Sequence, residues 1–336
     1  MAVPPHQPAT CQASGRTNRL PIIQPDLQHL SANRRYLIGV SGGRDSVALL
    51  HSLQAAGFNK LVVCHLDHRL RGRQSSADAS FTRRLAASYH LDFEGASADV
   101  RTLAKAQKLS LETAARQARH EFFAEISRAH RCRQILLGHH ADDAAETTLI
   151  NLFRGSAGLT QLRHRSEIRV GNRHLTFIRP LLNTRRAEID RYIGLERLKF
   201  REDASNQSED HLRNRVRHQL VPLISEIFDR DVTNAINRAA QISNEENTYL
   251  DALLQDFDLA PKDQPTVLST TLLGALPLPL QRRAIHSWLK LNQVSKISFE
   301  KVEHCLSLLD PVSGPAKINL PGDRHARRKN RTLFIE

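Results

Sequence analysis

The sequence has no long apolar run: nothing in it approaches the ~20 consecutive apolar residues that a membrane-spanning helix needs. Its first thirty residues, carrying Pro4, Pro5, Pro8, Gly15 and Pro21, also lack the apolar stretch of a secretory signal. A cytoplasmic protein without a membrane partner is the expectation. Cysteine is scarce, and Cys11, Cys64, Cys132 and Cys305 lie far apart. No C-x-x-C pair exists to hold zinc or an iron–sulfur cluster or to act as a redox couple, and a reducing compartment fits. Neither the lysine-bearing G-x-x-x-x-G-K-[ST] loop nor the spaced G-x-G-x-x-G dinucleotide pattern occurs. Internal repeats are absent too.

What is present is basic. Lysine and arginine number 48 against 35 aspartates and glutamates, a formal net charge of +13. Such an excess favours a polyanionic partner, because neutralising phosphates releases their counterions. The 336 residues, 40% of them hydrophobic, suffice for two or three domains.

From Arg35 onward the pattern alternates. Short apolar runs at Tyr36–Val40, Leu61–Leu66, Leu91–Glu94 and Gln134–Leu137 are separated by helical stretches, and a fifth run covers Leu175–Ile178. This is the signature of an α/β fold with a Rossmann-like parallel sheet. A helix ending at Leu220, stopped near Pro222, closes this part. Beyond it, Ile224, Ile227, Phe228, Val232, Ile236 and Ala239 recur at helical spacing, and further helices centre on Arg282–Leu291 and Phe299–Leu309. The expected organisation is a flexible extension over 1–32, a catalytic domain over 33–222, a helical domain over 223–312 and a short basic β appendage over 313–336.

The most informative segment is Ser41-Gly42-Gly43-Arg44-Asp45-Ser46, which follows a strand and opens a helix. Glycines let backbone amides close on an anion, the serines offer hydroxyl donors, and a helix N-terminus adds partial positive charge. An aspartate in such a loop repels phosphate unless a Mg2+ ion stands between them, which makes Asp45 the metal candidate. Farther on, His65 and His68 stand at a strand end, where a polar edge explains them better than a metal. Asp143 and Glu146, three apart, share one helix face. They suit an ammonium group or Mg2+, and equally a D-x-x-E capping box.

The loop S-G-G-x-D-S resembles the pyrophosphate-binding (PP) loop of the ATP pyrophosphatases, which cleave ATP between its α and β phosphates. His65 to Arg71 is similar to that group's V-D-H-G-L-R element, with Leu66 and Arg69 as departures. L-E-T-A-A-R (Leu111–Arg116), G-H-H-A-D-D-A-A-E-T (Gly138–Thr147), Leu152–Leu162, R-P-L-L (Arg179–Leu182), Phe200–Asn206, Arg213–Arg217 and R-R-A-I-H-S-W-L (Arg282–Leu289) follow in an order that resembles the tRNA(Ile)-lysidine synthase family.

That resemblance implies an ATP- and Mg2+-dependent ligase that adenylates the wobble cytidine of a CAU-anticodon tRNA(Ile) and joins L-lysine to it, releasing AMP and pyrophosphate. It implies that Ser41, Gly42, Gly43, Arg44, Asp45 and Ser46 bind ATP. Arg116 and His139 would face the α-phosphate or the activated base, and Asp143 and Glu146 the lysine amine. The helical domain and basic tail would hold the tRNA arms. A shorter family form is expected, and a homodimer is left open. A tRNA 2-thiolation enzyme sharing the loop, or a non-catalytic ATP-sensing or RNA-binding protein, are the rival readings. Residues 213, 215 and 217, two apart, would fan around a helix rather than form one stripe.

Overall fold

The computed structural model describes residues 26–70, 73–155, 159–201, 212–260 and 266–336. The extension up to residue 25, Arg71, the 156–158 part of the Leu152–Leu162 segment and residues 202–206 of the Phe200–Asn206 segment therefore lie outside the described residues.

The first unit is a six-stranded sheet in the order β3-β2-β1-β4-β6-β5. Its strands are β1 (Tyr36–Gly39), β2 (Leu61–Asp67), β3 (Asp92–Ser97), β4 (Gln134–Leu136), β5 (Arg165–Val170) and β6 (Arg173–Ile178). All neighbours pair in parallel except β5, which runs antiparallel to β6 at the edge. The sequence pattern misses β5 because an edge strand facing solvent alternates partly covered and exposed positions and carries two arginines and a glutamate. The hairpin signal, Gly171-Asn172 between two short runs, is nevertheless present.

Helices cover both faces of the sheet, and the period of two along each strand decides which residues meet them. Tyr36, Ile38, Val63, Leu136 and Ile178 share one buried cluster with Leu49, Leu50 and Leu53 of α1 (Arg44–Ala55) and Ile189 and Ile193 of α6 (Arg186–Glu196). Leu37, Val62, Ile135 and Phe177 point the other way, to Phe122, Phe123 and Ile126 of α4 (Leu111–Ala129). Two more helices, α2 (Arg73–Ser88) and α3 (Val100–Gln107), precede α4, and α5 (Ala141–Phe153) follows β4. Because β1 and β4 are neighbours whose outgoing chains diverge, the crevice beyond their C-terminal ends is the place where such sheets bind ligands.

The chain does not stop at Pro222. A short helix α7 (Leu212–Arg215) runs into a π-helical turn (Val216–Leu220) and on into α8 (Val221–Ile227). The Val221 amide reaches back five residues to the Val216 carbonyl. Proline lacks an amide and crowds the preceding turn, and the widened turn accommodates that. Asp229 then takes a left-handed conformation, φ 46°, and separates α8 from the long α9 (Thr233–Gln255). The Asn237 side chain of α9 donates to the carbonyl of Ala141 at 2.9 Å, tying that helix to the start of α5.

The second unit combines α10 (Thr270–Gly274), α11 (Leu278–Leu291) and α12 (Phe299–Ser307) with an antiparallel sheet. Its order is β7-β10-β9-β8, from β7 (Leu268–Ser269), β8 (Lys317–Leu320), β9 (Arg324–Lys329) and β10 (Thr332–Ile335). Trp288, Ile285, Leu289, Cys305, Leu308, Ala326 and Leu333 form one buried core. The Trp288 indole donates to the Thr266 carbonyl at 2.7 Å, so its single polar atom is satisfied inside that core.

Candidate active site

Gly42 takes φ 89°, a conformation glycine reaches without strain, and its carbonyl accepts from the Arg201 amide at 2.9 Å. Gly43 is the N-cap of α1 and supplies no side chain to its amides, which leaves that end open to an anion. The Ser46 hydroxyl donates to the Gly43 carbonyl at 2.8 Å, and Ser41 Oγ accepts from the Gly43 amide at 3.2 Å, so both serines brace the turn. The Arg44 side chain engages Asp190 of α6 at 2.6 Å and lies over the Phe200 ring at 4.9 Å. Its contribution to the loop is therefore backbone. His65 is buried, with Nδ1 2.8 Å from the Val40 carbonyl, and secures the end of β2 to the chain just before the loop.

Asp45 stands in the first turn of α1, and its Oδ1 is buried without a hydrogen-bond partner among the described residues. Burial raises its carboxyl pKa above the ordinary value against the pull of His140, and Asp143 raises it further. Gly138 brings the second half of the site close: a Cβ there would stand 3.0 Å from the Asp45 carbonyl oxygen. The β4–α5 turn thus packs directly on the backbone of α1.

His140 lies at the centre of the site, and sequence reasoning passed over it. Its side chain is fully buried, with Nε2 3.5 Å from Asp143 Oδ2 and 3.8 Å from Asp45 Oδ2, and Nδ1 3.6 Å from Asp142 Oδ2. Burial opposes its protonation, but Asp142, Asp143 and Asp45 outweigh burial and raise its pKa. It is also the N-cap of α5. The Asp143 amide donates to His140 Nδ1, and the His140 amide donates to Asp143 Oδ2 at 3.1 Å. A capping box does exist here, but it joins His140 to Asp143, not Asp143 to Glu146.

Asp143 and Glu146 instead share two guanidinium groups. Arg217 Nε donates to Glu146 Oε1 at 2.5 Å and its Nη2 to Asp143 Oδ1 at 2.9 Å. Arg213 Nε donates to Glu146 Oε2 at 2.9 Å. Positions 213 and 217 are one turn apart and share a face, so the reading of three fanned arginines is corrected: two form a pair, and Arg215 does not join it. Burial would raise the Asp143 carboxyl pKa, yet His140, Arg213, His139 and Arg217 together hold it below the ordinary range. A sequence signal was available, since i,i+4 arginines facing i,i+3 acids are complementary.

His139 borders the acid–arginine knot, since it and Asp143 act on each other and Arg213 acts on it as well. Burial first, and nearby arginines second, drive the His139 imidazole down to about 3 even though Asp143 pulls the other way. His139 is neutral at ordinary pH. Arg116 is exposed on α4.

A family model described as the PP-loop domain matches residues 18–224, and one described as the TilS substrate binding domain matches residues 268–334. The chain belongs to the tRNA(Ile)-lysidine synthase family. Curated members of that family include the synthase of Thermosynechococcus vestitus, 32% identical over 308 residues that cover 89% of this chain and 86% of that one. The Geobacter sulfurreducens synthase is 34% identical over 85% of this chain and 62% of its own. The Solibacter usitatus synthase is 34% identical over 87% and 65%. The chain thus spans less than two thirds of the length of the latter two.

Among solved structures, the U34-tRNA thiolase NcsA of Methanococcus maripaludis superposes with a TM-score of 0.51 at 17% identity, covering 72% of this chain and 78% of that one. That likeness shows the fold alone. Within the tRNA(Ile)-lysidine synthase family, then, this chain carries a PP-loop unit and a substrate-binding unit. Among the described residues, no helix is long and apolar enough to cross a membrane.

Proposed function

We propose that this chain ligates L-lysine to the wobble cytidine of a CAU-anticodon tRNA(Ile), using ATP and releasing AMP and pyrophosphate. The observation that carries the reading is an open, glycine-lined helix N-terminus whose first turn bears a carboxylate, Asp45, with one buried oxygen that has no partner among the described residues. Family membership supports the chemistry, and the absence of C-x-x-C pairs counts against the thiolation alternative.

The loop amides and the Ser41 hydroxyl hold the β and γ phosphates and stabilise the charge that appears on pyrophosphate, and the Ser46 hydroxyl joins them on releasing the Gly43 carbonyl. A single carboxylate with an unpartnered oxygen fits Mg2+, which keeps several waters and takes one or two carboxylates beside phosphate oxygens. Asp45 would hold it through the oxygen that otherwise lacks a partner, and the ion would neutralise phosphate charge there.

A pyrimidine ring oxygen is a poor leaving group, so it attacks the α-phosphorus and leaves later with AMP. Neutral His139 can donate to the base or to the α-phosphate without carrying charge, and Arg116 offers a planar fork. The Asp143–Glu146 pair holds cations already, and one guanidinium gives way as the lysine ε-ammonium arrives. A carboxylate then takes its proton, because only the neutral amine is nucleophilic.

The test mixes the full chain with ATP, Mg2+, lysine and a CAU-anticodon tRNA(Ile) transcript and follows AMP and lysine-bearing cytidine. Product is expected with lysine alone among the amino acids. Asp45→Asn should lower AMP formation by about 10²–10³-fold, the range for losing one electrostatic group at a reacting centre. Because burial raises the pKa of this carboxyl, its ionised form costs stability at neutral pH, and the variant should melt no lower than the parent. AMP formation without tRNA, or an unchanged rate in the variant, would sink the reading.

A further inference from the structure

Beside the loop and the acid–arginine knot, Arg119 and Arg179 hold buried nitrogens that have no function in the chemistry above, and they stand next to Arg116 and His139. Arg116 and Arg119 are one turn apart on α4. Helix α4 lies on β6, with the His120 and Phe177 rings 5.4 Å apart. Arg179 follows β6 directly, and β6 pairs with β4, whose exit carries His139. One flank of the crevice therefore gathers three arginines and a histidine.

The nitrogens there are left waiting. Arg119 Nε, Arg179 Nε and His139 Nδ1 are all buried without a hydrogen-bond partner among the described residues. Arg179 is 8% exposed, and its Nη1 is already fixed, donating to the Arg163 carbonyl at 2.7 Å and Ser166 Oγ at 3.0 Å. An anchored guanidinium with its Nε donor unpartnered is a prepared contact. Burial, then Arg116 and Arg213, lower the pKa of Arg119, and burial followed by Arg119 and Arg116 brings Arg179 down to about 10. Burial leads both shifts and the neighbouring guanidinium groups add to it, while Asp143 acts on His139.

An anion supplies what the cluster lacks, and the extent of the positive track says which kind. It does not end at Arg179. The segment that Arg179 grips lines an open groove of about 610 Å³ with Arg163, Arg165, Ser166 and Glu167. A nucleoside triphosphate seated on the glycine loop has no phosphates left to follow that path, whereas a polynucleotide has one per residue.

We propose that Arg119 and Arg179, next to Arg116 and His139, form a phosphodiester subsite that holds the polynucleotide backbone beside the base presented to the nucleotide loop. This rests on the reading of the chain as an RNA-modifying ligase. The subsite fixes register, so the correct oxygen meets the α-phosphorus.

The test uses Arg119→Gln and Arg119→Lys in the full chain. Affinity for a CAU-anticodon tRNA transcript is measured across salt concentrations without ATP, and ATP affinity is measured without tRNA. Arg119→Gln should weaken tRNA binding about tenfold and reduce the slope of log affinity against log salt by about one phosphate contact. ATP affinity should stay within about twofold. Arg119→Lys keeps the charge but not the Nε donor, and should keep the slope while binding a few-fold more weakly. It serves on its own, against the parent, if Arg119→Gln does not fold. Unchanged tRNA affinity in the folded variants overturns the proposal. So does a loss confined to ATP, which would assign the contact to the nucleotide's own phosphate. If the parent binds tRNA and Arg119→Gln loses it, yet no lysine-dependent AMP forms, the ligase reading falls and the subsite stands.

Discussion

The two units treat charge in opposite ways. Around the C-terminal edge of the parallel sheet, charged side chains carry buried atoms that have no hydrogen-bond partner among the described residues: Asp45 Oδ1, Arg119 Nε and Arg179 Nε. In the second unit the core is apolar, and the Arg282–Glu303 pair lies at its surface with 38% and 33% of the two side chains exposed. Exposed pairs contribute little, whereas buried unpaired groups cost free energy that only a ligand returns. The first unit holds its charges under tension, and the second is at rest.

Three variants test this contrast. The largest effect on stability is expected from Trp288→Ala, which empties the middle of the second core and should cost about 3–5 kcal/mol. Differential scanning calorimetry should show the loss, while ATP binding by the first unit persists. If ATP affinity collapses as well, the two units are energetically one.

Next comes Glu146→Gln. Breaking a buried ion pair typically costs about 3–5 kcal/mol, but Arg213 keeps 40% of its side chain in solvent, so about 1–3 kcal/mol is expected. Denaturant titration measures it. A more stable variant would mean that the acid pair, like Asp45, is under strain until lysine comes.

The smallest effect is expected from Asp142→Asn, at about 1–2 kcal/mol near pH 7. Burial opposes the ionised carboxylate, but His140, Arg185 and the Arg186 amide hold the Asp142 pKa well below its ordinary value. A depressed pKa gives stability that is present above the unfolded value of about 4 and is lost as pH falls through the folded one. Melting curves of the two proteins should therefore diverge at neutral pH and converge in acid. Parallel curves would show that Asp142 is not what holds this end of α5.

Much of this was legible in the residues themselves. Strands buried on both faces, such as β1, β2 and β4, announce themselves as apolar runs, and the glycine turn marks the nucleotide loop. What escaped depends on distance across the fold. The link between Arg217 and Glu146 joins positions 71 apart, and helical spacing within either segment reveals only half of it. The role of His140 was hidden because its partner Asp45 arrives from the first turn of α1, far away in the sequence. Edge strand β5 carries too few apolar residues to stand out. The π turn was misread because Pro222 signals an end to any helix whose ladder is regular, and this ladder is widened one turn earlier.

Gly138 has a mechanical consequence. With the turn after β4 pressed against the main chain of Asp45, a displacement of the first turn of α1 has no slack to absorb it before it reaches His139 and His140. A push at one end would be felt at the other, with one hydrogen atom acting as the bearing between them.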